Sequence, residues 1–284
     1  MYSETSNCTT PVEVSREQEI AIVTLNRTNR RNALTSEARI ELTAQINSAA
    51  EDKNTRAIVL ASRDSSFSAG QDLSEAKDFS ADVIPVWIQE HMDLYRAVLR
   101  YPAPIVAAVD GCCVGAGLQT ALLCDLRIGS SNAYFTMPEL DDAIPCILGV
   151  WTLWDIVGRS RTYEMVLTNR SVPAEEALQW GILNQIVPSS QLLRRACEIA
   201  RYLSCKPQLA FRLTKERLAD LTLRECESLA VHASYSHMQA FASGEPKLAM
   251  EAFLDHRRAP IPQWLSPFSN GSQNSNGNNG NGNH

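Results

Sequence analysis

The sequence predicts an α/β domain followed by a helical module. Three observations lead there. Apolar, β-branched runs alternate with helical patterns through the first half. From position 150 onward the pattern is mostly helical. And 284 residues are enough for one large domain or for a core with a smaller appendage.

In chain order, residues 1 to about 12 read as a loose arm, because they are polar and lack periodicity. Residues 19–25 (EIAIVTL) form the first strand by their β-branched content. Thr35 can cap a helix that runs to about Ala50, with Ile40, Leu42 and Ile46 as apolar positions. Residues 57–61 (AIVLA) read as a short buried strand, and 62–72 as a polar loop. A helix over 81–101 stops at Pro102 and Pro104. Residues 105–109 (IVAAV) are a second buried strand, Asp110 and Gly111 make a turn, and Gly115-Ala116-Gly117 opens a helix to about Cys124. Short strands follow at 126–128 and 133–136. Pro173 sits near the first turn of a further helix, and 182–187 is extended. Helical patterns occupy 191–203, 207–220, 223–242 and 246–256. The tail from about 260 is Asn-, Gly- and Ser-rich, too polar to bury a core. No internal sequence repeat is evident.

Composition narrows the function. Hydrophobic residues make up 44% and charged residues 20%, with a net charge of −6, the ordinary balance of a globular protein. An acidic chain argues against nucleic-acid binding, which needs a clustered positive surface. The N-terminus lacks the apolar core of a signal peptide, and Ile105–Leu123, the stretch nearest to a membrane span, is broken by Asp110 and glycines. A cytoplasmic enzyme is therefore expected. The eight cysteines form no C-x-x-C pair and read as small buried hydrophobes. The five histidines show no metal-ligand spacing, and there is no G-x-S-x-G.

Two places combine a strand end, small residues and a helix start: 67–73 (FSAGQDL) and 110–119 (DGCCVGAGLQ). Helix N-termini present unpaired N–H groups and the positive end of the peptide dipoles, and glycine lets a ligand approach the backbone. Facing loops of this kind can hold a developing oxyanion. Two other readings stand beside this one: simple packing, and half of a dinucleotide fingerprint, although Thr120 and Asp125 do not complete that pattern.

With these loops the chain resembles the crotonase superfamily, the enoyl-CoA hydratase/isomerase family. Residues 29–34 (NRRNAL) resemble its coenzyme A-binding segment, 67–73 its first oxyanion loop, and 110–127 its second loop, helix and following Cys-Asp. Residues 135–139 (FTMPE) resemble its catalytic Pro-Glu segment, and 250–258 (MEAFLDHRR) its C-terminal helix. The resemblance spans about 15–260. It implies a crotonase-like spiral of repeated ββα units with a C-terminal helical trimerisation module, giving a homotrimer or a dimer of trimers. The corresponding segments are a flexible arm (1–12), a crotonase core (13–200), a helical module (201–259) and a disordered tail (260–284). The implied substrate is an acyl-CoA, with coenzyme A a part of the substrate, no separate cofactor and no metal. The N–H groups of Gln71 and Ala116 would bind the thioester oxygen. Arg31, Ala33, Ala69, Gln71, Asp72, Leu73 and Ala116 would line the acyl-CoA site.

Hydratases of the family carry two glutamates. Here the first position is Gln119 and the second Glu139. An amide does not take up and return protons near neutral pH, so Glu139 is left as the single acid/base, with Gln119 as a hydrogen-bonding partner. A related branch places an Asp after Ile-Pro; this chain has Cys146 there. Asp141 and Asp142 are reserve candidates that otherwise read as surface acids. Trp151, Trp154 and Tyr163 either shape an acyl pocket or belong to the core. The expected activity is isomerisation or hydration of an enoyl-CoA. Thioester hydrolysis, a C–C cleaving hydratase-lyase and a non-catalytic binding protein are the alternatives.

Overall fold

The computed structural model describes residues 10–257. The N-terminal arm up to residue 9 and the Asn/Gly/Ser tail, with Arg258, lie outside the described residues. The chain opens with a hairpin of β1 (Val12–Glu17) and β2 (Ile20–Leu25), joined through Gln18 at φ 57. The strand β1 corrects the expected boundary of the arm, since Val12 is already paired with Leu25 and buried. Its outer residues are mostly exposed, as in an edge strand, which is why its sequence shows no apolar run.

Helix α1 (Ser36–Glu51) starts where Thr35 accepts the Ala38 N–H in its side chain, the expected cap. Then come β3 (Ala57–Ser62), β4 (Ser66–Ser68), the short α2 (Leu73–Ala76) and α3 (Ile84–Arg100). They are followed by β5 (Ile105–Val109), β6 (Cys112–Val114), α4 (Ala116–Leu123), β7 (Leu126–Ser130), β8 (Tyr134–Thr136) and α5 (Ile147–Thr168), kinked at Gly158. The chain continues through β9 (Val172–Pro173), α6 (Ala174–Trp180), β10 (Gln185–Val187), α7 (Leu192–Ser204), α8 (Gln208–Leu223), α9 (Cys226–Ser243) and α10 (Glu245–Leu254).

The strands divide between two sheets. One has the order β1-β2-β3-β5-β7-β10, the other β4-β6-β8-β9. Successive strand pairs β3/β4, β5/β6 and β7/β8 each place one strand in either sheet before a helical segment returns the chain. This is the spiral of ββα units. β2, β3, β5, β7 and β10 run parallel, as do β4, β6 and β8. Of the second sheet only β8 is anticipated, by the short strand expected at 133–136; β4, β6 and β9 are three residues or fewer, too short for a period of two to show.

The apolar runs of β3 and β5 follow from burial on both faces. Ile58, Leu60, Ile105 and Ala107 point into the main core, while Val59, Val106 and Ala108 meet Leu192, Ala196, Cys197 and Ala200 of α7. The boundary expected between 200 and 201 thus falls inside a helix that packs on the central sheet. Ser204, its last residue, is buried and its carbonyl accepts a hydrogen bond from Arg56 Nη2. Beyond it, α9 packs against α3 and α5, and α10 against α2 and the turn at 139–142. No helix among the described residues is long and apolar enough to cross a membrane.

Candidate active site

The parallel pairing of β4 with β6 brings the two glycine loops together, Ser66 opposite Cys112 and Ser68 opposite Cys113. Past the strands, Gly70 turns at φ 82 and Gly115 at φ 48, a region that L side chains enter only with strain. A Cβ on Gly70 would stand 2.7 Å from the Val114 carbonyl oxygen and 3.5 Å from the Ala116 nitrogen, so the loops touch at this point. Leu34 clamps the first loop from the other side. Its N–H donates to the Gly70 carbonyl at 2.7 Å and its carbonyl accepts from Asp72 N–H at 3.1 Å. Between these bonds, the Gln71 N–H meets no acceptor among the described residues, and neither does the Ala116 N–H at the start of α4. Two adjacent, unsatisfied N–H groups, one at a helix N-terminus, form a ready-made anion site.

The side chain of Gln71 is held as firmly as its backbone. Its Oε1 accepts from Arg39 Nη1 at 2.6 Å and from Trp87 Nε1 at 2.9 Å, and its Nε2 donates to Glu75 Oε2 at 3.2 Å. Arg39 is fully buried and pairs with Glu90 at 2.7 Å. A basic residue within a helix reads from sequence as a solvated one. Only the packing of α1 against α3 reveals it as a brace for the oxyanion loop. Asp72 caps α2 through the Ser74 N–H and pairs with Arg27 at 3.0 Å. Burial works against its ionisation, but the bonds from Ser74 and Arg27 prevail and hold its pKa below the usual value.

Glu139 enters from the turn after β8. Its Oε1 lies 3.5 Å from where a Gly115 Cβ would be and accepts from Gln119 Nε2 at 2.8 Å. Gln119 Oε1 in turn accepts from the fully buried Tyr95 hydroxyl at 2.5 Å. The Cys146 thiol lies against the same carboxyl. Burial pushes the Glu139 pKa up to about 7, with Asp142 adding in the same direction and the contacts from Gln119 and Cys146 opposing it. Glu139 is thus a carboxylate whose protonation changes near neutral pH, as proton transfer requires.

The loops, Glu139 and Gln119 all line one cavity of about 610 Å³. Every predicted site residue borders it: Arg31, Ala33, Ala69, Gln71, Asp72, Leu73, Ala116, Gln119 and Glu139. Asn29, Arg30 and Arg31 stand exposed at one edge. Trp87, His91 and His237 also border the cavity. Burial lowers the pKa of both histidines, that of His237 to about 4, so both are neutral at neutral pH. Trp87 stands at the centre of a ring cluster with Phe79, His91, His237 and Phe241.

The aromatics read from sequence as pocket candidates do not border the cavity. Trp151 packs toward Tyr95, and Trp154 and Tyr163 stack on each other with 40% and 45% of their surface exposed. Asp142 is buried at the cavity wall rather than a surface acid. Tyr95, Trp87, His91 and His237 carried no sequence signal, since aromatic residues at helical spacing are the ordinary content of a core. Among the described residues no three His, Cys, Asp or Glu side chains cluster as metal ligands.

Together, the fold and a site of two neighbouring backbone N–H groups beside a buried carboxylate define the class: a crotonase-fold protein. The model of the enoyl-CoA hydratase/isomerase family matches residues 15–264, and the chain belongs to that family. It is 30% identical over 249 residues to a short-chain-enoyl-CoA hydratase of Clostridium acetobutylicum, covering 87% of this chain and 95% of that protein. It is 33% identical over 225 residues to a carboxymethylproline synthase of Pectobacterium carotovorum, covering 78% and 90%. In three dimensions it is similar to the crystal structure of an enoyl-CoA hydratase from Mycobacterium avium subsp. paratuberculosis, with TM-score 0.78 and 26% identity over 87% of this chain and 96% of that one. Its function is accordingly of the enoyl-CoA hydratase/isomerase type.

Proposed function

We propose that the chain isomerises the double bond of an enoyl-CoA with Glu139 as its single acid/base. The observation that carries this reading is the state of Gln119. Its carbonyl is engaged by Tyr95, and its amide nitrogen faces Glu139 Oε1 at 2.8 Å and Met137 Sδ at 3.7 Å. It offers no second carboxylate to activate a water. Isomerisation needs only one. The Glu139 carboxylate takes a proton from C2 of a 3-enoyl thioester. The C2–H electrons pass into the conjugated dienolate, whose oxygen is held by the N–H groups of Gln71 and Ala116. The same proton then returns at C4 and leaves a 2-enoyl thioester. Each N–H donor aimed at such an oxyanion contributes about 2.7–4 kcal/mol to the barrier reduction. Coenzyme A enters as part of the substrate, its phosphates near Arg31, with Ala33, Ala69, Asp72 and Leu73 along its path.

A panel of 3-enoyl, 2-enoyl and aromatic acyl-CoA thioesters, with products read by mass and NMR, tests this. A product of unchanged mass with a moved double bond is expected, and kcat/KM should fall as pH drops through about 7, where Glu139 becomes protonated. A gain of water without a shifted double bond would replace isomerisation by hydration.

A second reading is favoured by the likeness to carboxymethylproline synthase. A carboxymethyl group on a ring carbon is what the α-carbon of a two-carbon thioester enolate leaves once the thioester is hydrolysed. The same cradle and carboxylate would serve C–C bond formation, and product mass in the presence of a cyclic imine separates it from isomerisation.

The same reading has the chain assemble as a homotrimer or a dimer of trimers. Leu209, Leu213, Leu218 and Leu221 of α8 support this, each exposed by about half or more, more large apolar side chains than one helix commonly leaves to solvent. Sedimentation equilibrium should return three or six times the chain mass; a monomer would overturn the assignment.

A further inference from the structure

We propose that Tyr95 is a positioning residue for Glu139: its buried hydroxyl holds the Gln119 amide with its N–H, and not its C=O, toward the Glu139 carboxylate. This goes beyond the proposed function and rests on it for Glu139 as the base, but the lock itself is a matter of geometry.

An amide can present either end to a carboxyl group. With its N–H forward it supports the anion; with its C=O forward it supports the protonated acid. The hydroxyl of Tyr95 decides between them. It stands on α3, fully buried, and among the described residues its one hydrogen bond goes to Gln119 Oε1 at 2.5 Å. Turning the amide over would set Nε2 against the phenol oxygen. The hydroxyl proton would then lose its acceptor, and leaving a buried donor unsatisfied costs about 1–3 kcal/mol. Burial, with Glu139 second, also holds the phenol well above its usual pKa, so it remains a donor throughout the working pH range. Gln119 thereby relays a fixed polarity from Tyr95 on α3 through α4 to Glu139. This explains why a site with one carboxylate keeps an amide at the position next to it: the amide keeps Glu139 available as a base while burial and Asp142 raise its proton affinity.

A backbone N–H at Glu139 and the Cys146 thiol also bond to the carboxyl and favour its anion, so the Gln119 amide acts in addition to them. Asp142 on the same turn raises the proton affinity of Glu139, and Cys146 at the head of α5 is a thiol whose own pKa burial keeps well above the usual value. Phe253 and Leu254 of α10, and His256 two residues beyond it, border the cavity. Around Tyr95 stand the neutral His91 of the same helix, Cys226 of α9, and Arg39 of α1, whose charge is paired with Glu90.

The test reads the protonation of Glu139 directly and needs no substrate. The protonated-carboxyl stretch is followed by infrared difference titration and assigned through its absence in Glu139→Gln. Tyr95→Phe frees the amide to turn when Glu139 takes up a proton, so the titration midpoint should rise by roughly one pH unit. In a Gln119→Leu background the same Tyr95→Phe change should leave the midpoint where Gln119→Leu alone puts it. An unmoved midpoint in Tyr95→Phe, or an equal rise in both backgrounds, overturns the proposal. Should Tyr95→Phe fail to fold, incorporation of 3-fluorotyrosine keeps the ring and makes a stronger donor. Polarisation through the amide should then lower the midpoint, and an unmoved or raised midpoint counts against the lock. The proposed isomerisation fails separately, through the thioester panel, while these titrations remain interpretable.

Discussion

Glu139→Gln should lower kcat/KM by about 10²–10⁴-fold, the usual contribution of a positioned acid/base. The substitution is nearly isosteric, and the new carbonyl can still accept from Gln119 Nε2, so the cavity and the Gln71–Ala116 cradle should persist. Acyl-CoA binding, measured by calorimetry, is therefore expected to change little while turnover collapses. Stability should move the other way. Burial raises the folded-state pKa of Glu139 from 4.5 to about 7, so its favourable contribution is fully present below pH 4.5 and is lost as pH rises through 7. Above pH 7 the native carboxylate is a buried anion that opposes folding. Glu139→Gln should thus raise Tm at pH 8 relative to the parent chain and lose that advantage near pH 5. Retained turnover would remove Glu139 from the mechanism; a lowered Tm at pH 8 would contradict its unfavourable ionisation. Gln119→Ala, which removes a partner rather than the proton carrier, should cost less activity.

Gly70→Ala should reduce kcat by about 10²–10³-fold, the loss seen when one oxyanion donor is removed. The added methyl would fall 2.7 Å from the Val114 carbonyl oxygen and 3.5 Å from the Ala116 nitrogen, so the two loops must part or turn, and the N–H groups would no longer converge on one oxygen. The residue would also occupy φ 82, which costs an alanine about 1–2 kcal/mol. Gly158→Ala supplies the control. It too has a positive φ, 74°, but its Cβ would meet nothing within 4 Å. It should show the backbone penalty in Tm without the loss of kcat. If Gly70→Ala retains the kcat of Gly158→Ala, the cradle does not hold the reacting oxygen.

Much of this was legible before folding. The FSAGQDL and GAGLQ segments are local: a strand end, a small residue and a helix start lie within ten positions, and short-range geometry dictates where their N–H groups point. Gln119 and Glu139 were readable as amide and acid because side-chain chemistry is a property of the residue. The strands of the central sheet announced themselves because burial on both faces demands an unbroken apolar run. In the second sheet only β8 did, as the strand expected at 133–136; β4, β6 and β9 are two- and three-residue strands specified by their neighbours rather than by their own pattern. β1 stayed hidden for the same reason, as an edge strand held by pairing with β2.

By itself, then, the sequence determined the supply of parts: two glycine loops, one carboxylate, one amide in place of a second, and helices to close the fold. Tertiary structure alone decided what those parts can do. It set Gly70 against Ala116, made Arg39 a buried brace for Gln71, put Trp87 and its histidine neighbours rather than Trp151, Trp154 or Tyr163 at the cavity, and joined Tyr95, Gln119 and Glu139 into one chain of hydrogen bonds. The physical reason is range. Backbone conformation and side-chain chemistry are fixed within a few residues, whereas desolvation, pKa and hydrogen-bond polarity depend on groups brought together across 20 or more positions by packing.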